Sequence, residues 1–149
     1  MLFFEAIAAL GVIVLMLFGL LPMVAFLAGV FLAPRSRPLK RFPFLLMHLV
    51  IYCVAVFGFL SFVTLSILTL GFGLPLVYLF VCLIIFWSAR TLTRRAVDAG
   101  ASRLLVVVYG LMLSWSIPLS LSIIGLGLGI ALLSLSFLIW LYLLVKPSV

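Results

Sequence analysis

The sequence predicts an all-α integral membrane protein with five transmembrane helices, its N-terminus outside and its C-terminus inside. Hydrophobic residues make up 69% of the 149 residues and charged residues 7%, where a soluble domain carries roughly a quarter charged. The nine Lys and Arg residues fall in three short clusters, and the stretches between them are apolar over one or two times the roughly 20 residues that cross a bilayer.

Taken in order, the first apolar run covers residues 6–33 and stops at Pro34. Glu5 stands at its start, where an acid complements the positive end of the helix dipole and stays within reach of water. The second span, 44–70, follows Pro43 and is interrupted by Gly71, Gly73 and Pro75. The third begins at residue 74 and crosses to about residue 95. Its helix continues past the membrane surface to Gly100, a helix-ending residue, with Arg94 and Asp98 one turn apart. Ser102 suits the N-cap of the fourth helix.

From Leu104 to Val145 there is no charge in 42 residues, about twice what one crossing needs. A reversal at Gly125, Gly127 and Gly129 divides the run into spans 104–124 and 128–146, because glycine weakens a helix and admits tight-turn dihedrals. The alternative is a single long bent helix, giving four spans and placing Lys146 outside.

Basic residues accumulate on the cytoplasmic side of membrane spans. Five spans put Arg35, Arg37, Lys40, Arg41, Arg90, Arg94, Arg95, Arg103 and Lys146 all inside, as anchors to head groups worth about 1 kcal/mol each. Both glycine turns then face outward. The expected location is a bacterial inner membrane, with the whole chain as one multi-pass domain. The formal charge of +7 is not read as nucleic-acid binding, since no basic stretch is long enough to form a separate face. The N-terminus lacks the positive n-region of a secretory signal, so the first run is expected to remain attached.

Leu65–Leu76 (LSILTLGFGLPL) and Leu121–Leu132 (LSIIGLGLGIAL) share Leu, Ser, Ile, Leu, Gly, Gly and Leu at an offset of 56 residues. The chain is therefore expected as helix 1 followed by two helical hairpins in parallel repeat, whose pseudo-twofold axis lies along the membrane normal.

Few side chains offer chemistry. His48 is the sole histidine, about one turn into the second helix with Tyr52 one turn further. It is the candidate cofactor ligand, for a haem or a chlorophyll-type pigment, although a second axial histidine is missing from the chain. Cys53 and Cys82 sit in apolar runs with no CxxC spacing and are expected as small buried hydrophobes. Serines and threonines on helices two, four and five either bond back to helix carbonyls or line a narrow polar path. Ala25 and Gly29 (continuing to Ala33), and Ser116 and Ser120, have the small-xxx-small spacing that lets helices approach closely. Trp87, Trp140 and Tyr142 fall where an aromatic belt places them. No P-loop, HExxH or nucleophile elbow is present, so the chain is not expected to be an enzyme.

These features predict an accessory or scaffolding subunit that packs against a larger membrane complex, with the lipid bilayer and other membrane subunits as partners. The alternative is a small oligomeric transporter or channel for a neutral or lipidic substrate. A further alternative is a pigment- or haem-holding subunit built on His48.

Overall fold

The computed structural model describes residues 20–34, 39–69, 73–121 and 125–147, with the side chains of 74, 117–121 and 126 left aside. Glu5, Arg35, Arg37, Gly71 and the side chain of Ser120 thus lie outside the described set. The described chain is all-helical: α1 spans Leu20–Phe31, α2 Arg41–Leu68, α3 Leu74–Asp98, α4 Arg103–Leu121 and α5 Leu126–Val145. By length and composition three of these can cross a membrane, namely Arg41–Leu68, Pro75–Asp98 and Gly127–Val145.

Local chemistry sets the helix ends. Helix α2 starts at Arg41, ahead of the expected 44, because Pro43 lies in the first turn, where a missing N–H removes no helical bond. The Phe44 N–H donates to the Lys40 carbonyl at 2.9 Å. Helix α3 ends in a Schellman motif: Gly100 takes the left-handed conformation at φ 65°, its N–H donates to Val97 O at 3.1 Å, and the Ala101 N–H donates to Ala96 O at 2.8 Å. Ser102 immediately precedes α4, its carbonyl accepting from the Leu105 N–H at 3.1 Å.

Helix α4 is described to Leu121 and α5 begins at Leu126, and the two pack against each other. Of the three glycines expected in the turn, two fall inside α5. Gly125 stands directly before α5, while Gly127 and Gly129 are helical, the Gly129 N–H closing the first turn on Gly125 O at 2.8 Å. Helical continuation gives the Gly129 N–H its acceptor, while Gly127 lies in the first turn, where N–H groups have no intrahelical partner.

The most extensive packing joins α2 to α3 and α4 to α5, giving two hairpins that meet chiefly through α3 and α4. Helix α1 lies across the junction. A Cβ on Gly29 would come 2.8 Å from Ala89 Cβ of α3, and one on Gly110 of α4 would strike the Phe26 ring of α1. Both glycines therefore permit backbone approach that any larger residue would block.

Burial concentrates where α1, α3 and α5 end and α2 and α4 begin. Val30, Leu39, Phe44, Leu92, Ala96, Val106 and Leu143 form the core there. Arg95, expected among the head-group anchors, is fully buried in the same region. Its guanidinium pairs with Asp98, donates from Nε to Leu143 O at 2.8 Å and donates from Nη2 to Lys146 O. Arg41 Nε reaches the same Lys146 carbonyl at 3.1 Å. Arg103 caps α1 in the same manner, its Nη2 donating to Ala33 O at 2.9 Å. The physical reason is common to all three: the last carbonyls of a helix have no intrahelical partner, and a cation there also meets the negative end of the dipole.

Asp98→Asn is expected to destabilise the detergent-solubilised protein by about 3–5 kcal/mol, since it leaves a buried guanidinium without its counter-charge. Arg95→Lys should lose less, keeping the charge but not the planar fork. Reversible unfolding in denaturing detergent, monitored by circular dichroism, measures both. Two variants as stable as the parent would refute the clamp.

Candidate functional site

The polar group that stands out within the bundle is built from α2, α4 and α5 next to this packed end. Phe44, His48 and Tyr52 follow at i, i+4 and i+8 on α2, so they stack along one face. Ser136 and Trp140 are one turn apart on α5, and Tyr109 comes from α4. The His48 ring lies 4.3 Å from that of Phe44, 6.1 Å from Tyr52 and 6.3 Å, edge-on, from Trp140. Tyr52, Tyr109, Leu113, Ser136, Phe137 and Trp140 line a cavity of about 290 Å³.

His48 is 2% exposed and its Nδ1 is 3.3 Å from Phe44 O. A carbonyl only accepts, so Nδ1 carries the hydrogen and Nε2 presents a lone pair. Among the described residues His48 Nε2 and Trp140 Nε1 are the buried side-chain polar atoms without a hydrogen-bond partner. Indole Nε1 is a donor only. The site thus holds one orphan acceptor and one orphan donor on adjacent rings, each carrying a desolvation cost of about 1–3 kcal/mol. A hydroxyl group, which donates and accepts, has the chemistry that complements both.

The other expected positions fall elsewhere. Gly29 meets α3 inside the chain, Ala25 is half-buried on α1, and Ser116 is buried with its hydroxyl donating to Leu113 O at 2.8 Å. Ser61, Thr64, Ser114, Ser134 and Ser136 likewise donate to carbonyls of their own helices at 2.8–2.9 Å. Their hydrogens are engaged by backbone, which leaves these hydroxyls with acceptor lone pairs alone. Cys82 is buried, whereas Cys53 is exposed on α2, contrary to expectation, because α2 turns most of its surface away from the bundle. Lys40 is exposed and Arg90 and Arg94 half-buried on the basic end. Lys146 Nζ stands 5.2 Å from the Tyr142 ring centre, a cation–π contact. No three of His, Cys, Asp and Glu converge among the described residues.

Sequence reasoning singled out His48 with Tyr52, named Ser136 as a helix hydroxyl and Trp140 as a belt residue without joining them to His48, and did not name Tyr109. The available signal was the i, i+4 spacing of Ser136 and Trp140, with Trp140 well over one turn before Lys146, deeper than a belt residue needs. No protein-family model, curated protein or solved structure matches this chain.

Trp140→Phe removes the unpartnered N–H and keeps most of the ring contacts. It is expected to raise the stability of the ligand-free protein by about 1 kcal/mol; a comparable loss would show that Nε1 already has a partner.

Proposed function

We propose that this chain is a non-enzymatic, five-span membrane protein that binds a neutral, lipid-soluble ligand carrying a hydroxyl group in the pocket beside His48 and Trp140. The single observation that supports this reading is the pair of orphan polar atoms, His48 Nε2 and Trp140 Nε1, on two rings in edge-on contact, of which Trp140 lines an aromatic-walled cavity. Buried polar atoms in native proteins are nearly always paired, and an exception calls for a reason. A cavity of about 290 Å³ sits at the small end of ligand pockets, which favours a single ring or an alkyl alcohol over a haem or chlorophyll-type macrocycle. The aromatic walls and the lack of a charged lining residue select against ionic substrates. Such a pocket serves a carrier of neutral lipidic substrates or a subunit that retains one.

The test is thermal unfolding of the purified protein with 1-dodecanol and with its methyl ether. The alcohol should stabilise the protein, by about 2.7 kcal/mol at a hundredfold excess over Kd, and the ether, which cannot donate to His48, should not. His48→Phe should abolish the difference, and Trp140→Phe, which removes a donor to either oxygen, should weaken the response to the alcohol. Equal effects of alcohol and ether, or an unchanged response in both variants, would sink the proposal.

A second reading, an accessory subunit packed against a larger membrane complex, is favoured by α2, of whose 28 residues Phe44, His48, Ile51 and Ser66 are the buried ones. Native mass spectrometry after mild extraction distinguishes it by the presence of stoichiometric larger subunits.

The proposed topology places the basic end inside, in a bacterial inner membrane. A single cysteine at position 102, Ser102→Cys with Cys53 and Cys82 replaced by Ala, should be blocked by a membrane-impermeant maleimide only after the cells are opened. Labelling in intact cells would reverse the orientation.

A further inference from the structure

We infer that the groove between α2 and α3 at the basic end binds one anionic phospholipid, its phosphate on Arg90 and Arg94 and an acyl chain along Leu46 and Val50. This site is separate from the His48 pocket and depends only on the chain lying in a membrane.

The groove encloses about 350 Å³ and is lined mainly by apolar side chains of both helices, with Arg90 and Arg94 as its charged residues and no acid among the lining residues. Thr91 also lines it, but its hydroxyl donates to Ser88 O at 2.9 Å. On α3 the residues Trp87, Arg90 and Arg94 follow at i, i+3 and i+7, so they share one face. The rise of 1.5 Å per residue separates Trp87 from Arg94 by about 10 Å along the axis. Arg94 lies toward the helix end, one turn before Asp98, and Trp87 lies deeper. The opposite wall descends in the same direction, from Leu46 to Val50 and Ile51 on α2.

The cationic mouth and the apolar floor therefore have the order of a phospholipid, head group first and hydrocarbon below. Guanidinium groups match phosphate oxygens in a bidentate fork. Basic pockets between membrane helices suit anionic head groups for the same reason. Trp87, 47% exposed, presents its amphipathic ring at the boundary between the two zones, as interfacial tryptophans do. The charge selects the lipid class: a zwitterionic lipid brings its own cation to a mouth that already holds two.

The test is native mass spectrometry of the whole chain from micelles containing phosphatidylglycerol and phosphatidylcholine at equal amounts. One phosphatidylglycerol should be retained in preference to phosphatidylcholine, and excess inorganic phosphate should not displace it. Arg90→Gln should weaken retention about fivefold and the Arg90→Gln, Arg94→Gln pair about 25-fold. Val50→Trp, which fills the floor and leaves both charges, should also lose the lipid. Lys40→Gln removes an exposed charge at the same end outside the groove and should change nothing. Each variant is first checked for helical content and a single elution peak. Equal retention of both lipids, displacement by phosphate, retention by Val50→Trp, or an equal loss in Lys40→Gln would overturn the assignment, the last by showing diffuse attraction. The comparison of lipids on the unmodified chain decides the question even if a variant misfolds.

Discussion

The buried guanidinium of Arg95 holds the ends of α3 and α5 together, and the packed part of the molecule is organised around it. Removing a guanidinium from water costs several kcal/mol, and such burial persists only where hydrogen bonds and a counter-charge offset it. Here Asp98 supplies the charge, while the carbonyls of Leu143 and Lys146 take further donors of the fork. Those carbonyls belong to the end of α5, where intrahelical partners run out. One side chain thereby answers two needs, its own desolvation and the unfinished end of a neighbouring helix. Arg103 and Arg41 repeat the device on a smaller scale, at the ends of α1 and α5.

Concentrating these contacts at one end shapes everything beyond it. Lipid offers no hydrophobic drive for helix association, so helices stay together through close packing and hydrogen bonds. The bundle has both at the basic end, with Leu92, Ala96, Val106 and Leu143 sealed in the core. Further along, contact depends on single close approaches, such as Gly58 of α2 beneath the Phe80 ring of α3. The long apolar faces of α2 point outward, with Phe57 and Ile67 each 72% exposed, a surface suited to lipid or to a membrane partner.

The pocket beside His48 lies against this packed end. Trp140 is one turn before Leu143, whose carbonyl Arg95 holds, and Phe44, which stacks on His48, is a core residue. The orphan nitrogens of His48 and Trp140 are thus carried next to the most closely packed part of the bundle, which is where a binding constellation gains most from being held in place. The hydroxyls of the outer halves differ: Ser61, Thr64, Ser114 and Ser134 donate to carbonyls of their own helices.

Composition and charge clustering by themselves determined an all-helical chain with helices long and apolar enough to cross a membrane, the order of its helices, the start of a new helix after Gly125 and the gathering of basic residues at one end. These follow from the sequence because lipid demands apolar runs of a certain length and admits charge only at their ends. The stop at Gly100 was legible for a similar reason, since few residues adopt positive φ. Tertiary structure alone decided what the charges do there. Arg94 and Arg95 are neighbours in an unremarkable basic cluster, yet a helix rotates successive side chains by about 100°, so Arg95 is buried against α5 while Arg94 lines a groove against α2. It also decided that Gly29 serves α3 within the chain, that Gly127 and Gly129 continue a helix, and that Trp140 turns inward to meet His48. None of these is a property of local spacing, because each depends on which helix lies opposite.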